Sequence, residues 1–205
     1  MIAVITGDLI KSQRIPQQEY DAMLYQLDQS LRFITQHFES SFSIYRGDAL
    51  QLQLQTPESV CHVAILLYLQ MKAANYELRQ SMAIGTVDNP RADIKTATGS
   101  AYTLSGQGLD NMTHQLLTIK VENNHLDEGF LLNIALIEVL LEKMSQKQAN
   151  ALFNYLTASN NSHAELAKEL NTSRENVTKL LNLAQYQLVE RFIKYSHTTL
   201  KGLIA

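Results

Sequence analysis

A chain of 205 residues, 45% of them hydrophobic, is long enough for one domain of ordinary size and a small appendage, and two folded units are expected. A net charge of -3 and a pI near 6.1 exclude a protein that coats nucleic acid through massed positive charge. The charge is unevenly spread: residues 144 to 205 carry 7 Lys and Arg against 4 Asp and Glu, a net of +3, and residues 1 to 143 carry 10 against 16, a net of -6. Contact with nucleic acid is therefore expected from the C-terminal piece.

Residues 2 to 7 read as a buried strand ending at Gly7-Asp8. A helix follows, with Tyr20, Met23, Leu24, Leu27, Leu31, Ile34 and Phe38 at helical spacing. Residues 41 to 46 and 49 to 55 flank Gly47-Asp48, and ALQLQLQ alternates strictly between apolar and polar side chains, so a β-hairpin turning on Gly-Asp is predicted. A helix over about 57 to 75 and a strand through LRQSMAIGTV complete the order βαββαβ, that of a ferredoxin-like, palm arrangement. Residues 88 to 97 read as a loop, a helix is expected from near Ser100, and LLTIKVE as a further strand. From 130 onward the pattern is helical, in FLLNIALIEVLLEKM, QKQANALFNYLTA, AELAKEL and RENVTKLLNLAQYQLVERFIKY. The expected class is α+β: a palm-like domain over 1–127, then an all-α domain with a helix-turn-helix over 128–205.

Two Gly-Asp pairs stand at strand ends, in IAVITGD and FSIYRGD. In the βαββαβ order the first strand lies beside the second strand of the hairpin, which makes Asp8 and Asp48 neighbours. Carboxylates from adjacent strands can share a hard divalent cation, Mg or Mn, with phosphate oxygens; two turn-forming Gly-Asp units without a ligand are the bland alternative. Lys11 and Ser12, at the approach to a helix, and Arg46, beside Asp48, are candidate phosphate contacts; Arg46 fits pairing with a carboxylate equally well, and Arg14 reads as a solvated residue.

VITGDLIKS, YRGDALQ, MAIGTVD and GSAYTLSGQGLDNM resemble the successive motifs of class III nucleotidyl cyclase catalytic domains, over about residues 2 to 115. That resemblance implies metal at Asp8, Asp48 and the backbone carbonyl of Leu9, and a triphosphate cradled by the loop that follows. It departs at Ile44 and Thr103, where the family reads the base, and at Asp110 and His114, where the family stabilises its transition state. Loss of a fixed cation there points away from cyclase turnover. AVITGDLIKS, RGD-x-x-Q over Arg46 to Gln51, G-x-A-Y-x-x-SG over Gly99 to Gly106 and a terminal helix-turn-helix resemble the SatD family, over nearly the whole chain.

In HAELAKELNTSRENVTKLL, Leu166, Ala167 and Leu170 form one buried stripe and Val177, Leu180 and Leu181 the next, joined at Asn171-Thr172-Ser173. Asn171 suits a left-handed turn, and Thr172 with Glu175 fits a capping box. The second helix would present Ser173, Arg174, Glu175, Thr178, Lys179 and Asn182 to a major groove; the same pair could instead serve in packing or dimerisation. A homodimer would strengthen DNA binding through paired half-sites.

His62 reads as a satisfied core residue, and Tyr45, Tyr102 and Tyr155 as packing aromatics. Cys61, the single cysteine, lies in the apolar run VCHVAILLYLQM and reads as a buried thiol. No apolar run approaches the roughly 18 residues that span a bilayer, and the N-terminus lacks a signal peptide's apolar segment, so a cytoplasmic protein with no membrane partner is expected. The leading reading is a DNA-binding regulator whose palm-like domain binds nucleotide through a divalent cation; the alternative is metal-dependent nucleotidyl or phosphoryl transfer at Asp8 and Asp48.

Overall fold

The computed structural model describes residues 1–45, 47–88 and 94–204. Arg46, one of the expected phosphate contacts, lies outside them, as does part of the expected loop. The N-terminal elements run β1 (Ile2–Leu9), α1 (Gln17–His37), β2 (Ser40–Tyr45), β3 (Ala49–Leu54), α2 (Val60–Ala73), β4 (Leu78–Gly85), α3 (Ser100–Asp110) and β5 (Leu117–Val121). They build one five-stranded sheet in the order β2-β3-β1-β4-β5, antiparallel except for the parallel β4/β5 pair. The order βαββαβ and the place of β1 beside β3 are as expected. The strand itself is longer than predicted: β1 continues through Asp8 and Leu9, which pair with Arg79 and Leu78 of β4.

Alternation along β1 sorts the two faces. Ala3, Ile5 and Leu9 enter the main core beneath α1 and α2, whereas Ile2 and Val4 join Ala97, Ala101 and Tyr102 under α3. On this second face two polar pairs form, Thr6 Oγ1 lying 2.8 Å from Ser105 Oγ and the Tyr102 hydroxyl donating to Gln53 Oε1, while the buried Ser81 Oγ has no hydrogen-bond partner among the described residues. Tyr102 thus packs, as expected of it.

The C-terminal half is helical: α4 (Glu128–Lys143), α5 (Gln146–Thr157), α6 (His163–Glu169), α7 (Arg174–Leu183) and α8 (Tyr186–Ile204). The continuous helix expected from Arg174 breaks at Ala184-Gln185, where Gln185 takes φ +52 and the chain turns into α8. Helix α2 explains how these helices meet the sheet. Ten of its fourteen residues are buried, including Cys61, on all sides of the helix. A helix apolar all round must be covered all round, and here the sheet covers one side while α5 and α8 cover the other, within one continuous core. Among the described residues no helix is long and apolar enough to cross a membrane.

Candidate functional site

The register between β1 and β3 sets Asp8 opposite Ala49, so Asp48 stands one residue beyond Asp8's strand partner, in the turn. That turn is possible because residue 47 is glycine: its φ is +85, and an added Cβ would lie 2.0 Å from the Tyr20 hydroxyl of α1. Asp48 is half-buried and makes no ion pair with any other described residue.

Asp8 is already engaged. The continuation of β1 places it directly across from Arg79, whose Nε donates to Oδ1 at 2.5 Å and whose Nη2 donates to Oδ2 at 2.8 Å. Nη1 reaches the Met112 carbonyl at 3.3 Å, fixing the guanidinium plane. The hydrogen bonds that Arg79 donates to Asp8 push its pKa further up, so the guanidinium stays charged. Both Asp8 oxygens are thus occupied by a planar cationic fork, and among the described residues no group of three His, Cys, Asp or Glu side chains could hold a metal ion. Asp8 and Asp48 would hold Mg or Mn only with Arg79 turned away from Asp8, water and phosphate oxygens completing the octahedron.

Arg79 was not singled out from the sequence. Its signal needs the strand register: once β4 is set against β1, Arg79 alternates with Ser81 and shares a face with Thr6 and Asp8. Beyond this pair a groove of about 370 Å³ opens at the strand end, lined by Leu9, Lys11, Arg79 and His114 together with Glu77 and Glu142. Lys11 sits at φ +59 and leads into a short 3-10 turn over Ser12–Arg14; Lys11 and Arg14 are exposed and Ser12 is half-buried. Of the four positions where the cyclase motifs depart, His114 lines this groove and Thr103 donates to the Gly99 carbonyl at 3.2 Å. Asp110 closes α3, and Ile44 packs against the core.

At the other end of the chain, α6 and α7 are joined by four residues. Asn171 takes φ +47, as expected of the joint, and the Thr172 N–H returns to the Ala167 carbonyl at 2.9 Å. The cap differs from the expected Thr172/Glu175 box. Ser173 is the N-cap, accepting from the Asn176 N–H at 3.1 Å, and the Thr172 hydroxyl accepts from the Asn176 side chain instead. The reason is register: α7 starts at Arg174, so Glu175 falls at the second helical position, one short of the box. There backbone N–H bonding, helped by the Ser173 hydroxyl, holds the Glu175 carboxyl below its usual range.

Val177 and Leu181 anchor α7, and Leu166 and Ala167 anchor α6. Arg174, Glu175, Lys179 and Asn182 are exposed. Thr178 is half-buried, its hydroxyl 2.8 Å from His163 Nδ1 and donating to the Arg174 carbonyl. With Ser173 capping and Thr178 tied inward, Arg174, Lys179 and Asn182 are the outward donors of the expected set. His163 also stacks edge-on with Tyr155 and Tyr186, a knot between α5, α6 and α8 that sequence reading had not assembled.

No protein-family model and no curated protein sequence matches the chain. Solved structures similar to it include the guanylyl cyclase Cya2, at 14% identity and a TM-score of 0.47, with 58% of this chain and 73% of that one covered. A bacterial light-regulated adenylyl cyclase aligns at 10% identity and a TM-score of 0.43, over 58% of this chain and 74% of that one.

Proposed function

We propose that the chain is a DNA-binding regulator in which the α6–α7 hairpin meets DNA and the five-stranded sheet carries a nucleotide-responsive groove at the Asp8 end. The observation that supports it best is the arrangement of α7. Its apolar side is fixed by Val177 and Leu181, its start is capped by Ser173, and Arg174, Lys179 and Asn182 stand free in solvent. Arginine and lysine contact phosphates and guanine, and asparagine can pair with adenine in the major groove. For the sheet, the Arg79–Asp8 pair favours ligand sensing over turnover, because Asp8 would have to leave a bidentate ion pair before it could bind a metal.

Selection from a random duplex library followed by fluorescence anisotropy tests the reading. Lys179→Ala should weaken binding about equally for all sequences and lower the salt slope by about 1, whereas Arg174→Ala should cost about 1–3 kcal/mol and relax the preference at one base position. Binding that both variants retain in full excludes α7 as the reader.

A second reading is nucleotidyl or phosphoryl transfer at the sheet edge, favoured by the β1/β3 register that brings Asp48 beside Asp8. It requires Arg79 to leave Asp8. Nucleoside triphosphate turnover with Mg or Mn that disappears in Asp48→Asn would support it; turnover unchanged in that variant would exclude the assigned role.

A further inference from the structure

We propose that α4 and α8 form the interface of a two-fold dimer of this chain, independently of any DNA or nucleotide binding. Helix α4 buries Phe130, Ile134, Ile137 and Leu141 on its inner side, yet its outer side is also apolar. Leu132, Leu136 and Val139, at 60%, 56% and 43% exposure, recur at i, i+4 and i+7 and make one stripe. On α8, Leu188 and Tyr195 are one heptad apart and open to solvent at 46% and 39%. A groove of about 350 Å³ separates the helices, lined by Leu136, Leu140, Leu188, Arg191, Phe192 and Tyr195.

Area and charge identify the occupant. The five exposed side chains leave roughly 500 Å² of surface in water, at the upper end of the patches that monomers carry. Two such faces would bury about 1,000 Å² before any rim is counted, which reaches the size of a specific interface. Glu128 stands one turn before Leu132 on the stripe of α4, Glu138 is turned inward to the Leu117 N–H, and Arg191 lies in the groove on α8. A two-fold interface must complement itself. Laying α4 of one copy along α8 of the other joins the apolar stripes and offers Arg191 to Glu128 once on each side of the two-fold axis.

Sedimentation equilibrium of the full chain up to roughly 100 µM tests this. The expected species has twice the 23.1 kDa chain mass. Leu136→Glu and, separately, Leu188→Glu should each raise the dimer Kd at least about 100-fold, as hot-spot side chains do, with an unchanged far-ultraviolet circular dichroism spectrum. Arg191→Glu should weaken the dimer more at low salt than at high salt. A wild-type chain that stays monomeric throughout overturns the proposal, as does a dimer indifferent to both leucine variants.

Discussion

Asp8 and Arg79 illustrate how continuing a strand past its expected end changes a carboxylate's role. Were β1 to end at Gly7, Asp8 would be a turn residue beside Asp48; because pairing continues, it faces a guanidinium. The two side chains keep 25% and 31% of their surface, so their attraction is partly screened but geometrically good. A double-mutant cycle on Asp8→Asn and Arg79→Ala, read by urea unfolding, should give a coupling energy of about 1 kcal/mol. Additive effects would show that the pair is idle. His62 supplies a pH dependence. Its ring packs edge-on against Phe38, and burial, reinforced by His197, lowers its pKa below the ordinary value near 6.5. The unfolded chain therefore binds the proton more readily, and stability present above pH 6.5 is lost as the pH falls through that value toward the folded pKa. Unfolding free energy measured at pH 7 and pH 5 should fall less in His62→Gln than in wild type.

At the scale of the element, the hairpin turn is the most exacting feature. Gly47→Ala must place a side chain at φ +85 and push the Tyr20 ring off the turn, and should destabilise by about 2 kcal/mol. Tyr20→Phe in the same chain should recover part of that loss by removing the hydroxyl; equal stability of Gly47→Ala and wild type would rule out both causes. The hairpin, the alternating β3 and the amphipathic α1 were legible because each is a local pattern. The α6–α7 joint was legible in its left-handed Asn171 but not in its cap, since Thr172, Ser173 and Glu175 allow two cap registers and only the packed position of Val177 chooses between them. Similarly, nothing in RENVTKLLNLAQYQLVERFIKY marks a break, because Ala184 and Gln185 are good helix residues. The break comes from tertiary packing, which turns α8 back onto α2. Arg79 was hidden for the opposite reason: its partner is 71 positions away and its meaning appears only once strand register is known.

The whole molecule is organised around α2. Sheet, α1 and C-terminal helices share one core, and further links cross between the halves: Phe33 of α1 meets Phe153 of α5 edge-on at 5.0 Å, and Lys72 of α2 donates to the Glu142 carbonyl at 3.2 Å. Such coupling should make unfolding a single event. Circular dichroism and tyrosine fluorescence are expected to trace one coincident urea transition, and a 1–127 fragment should lose the sharp transition because the outer side of α2 is uncovered. Two separate transitions would show that the halves hold themselves together unaided.

The same helix sets a timetable for the chain's synthesis. Every side of α2 exists in the sequence by residue 73, but its outer cover is complete only when residues 186–204 have left the ribosome. At 5–20 residues per second, an apolar helix waits on the order of ten seconds for its lid. During that interval the nascent sheet half exposes the outer side of α2, the kind of apolar surface that a holding chaperone covers, and α8 is the helix that takes its place.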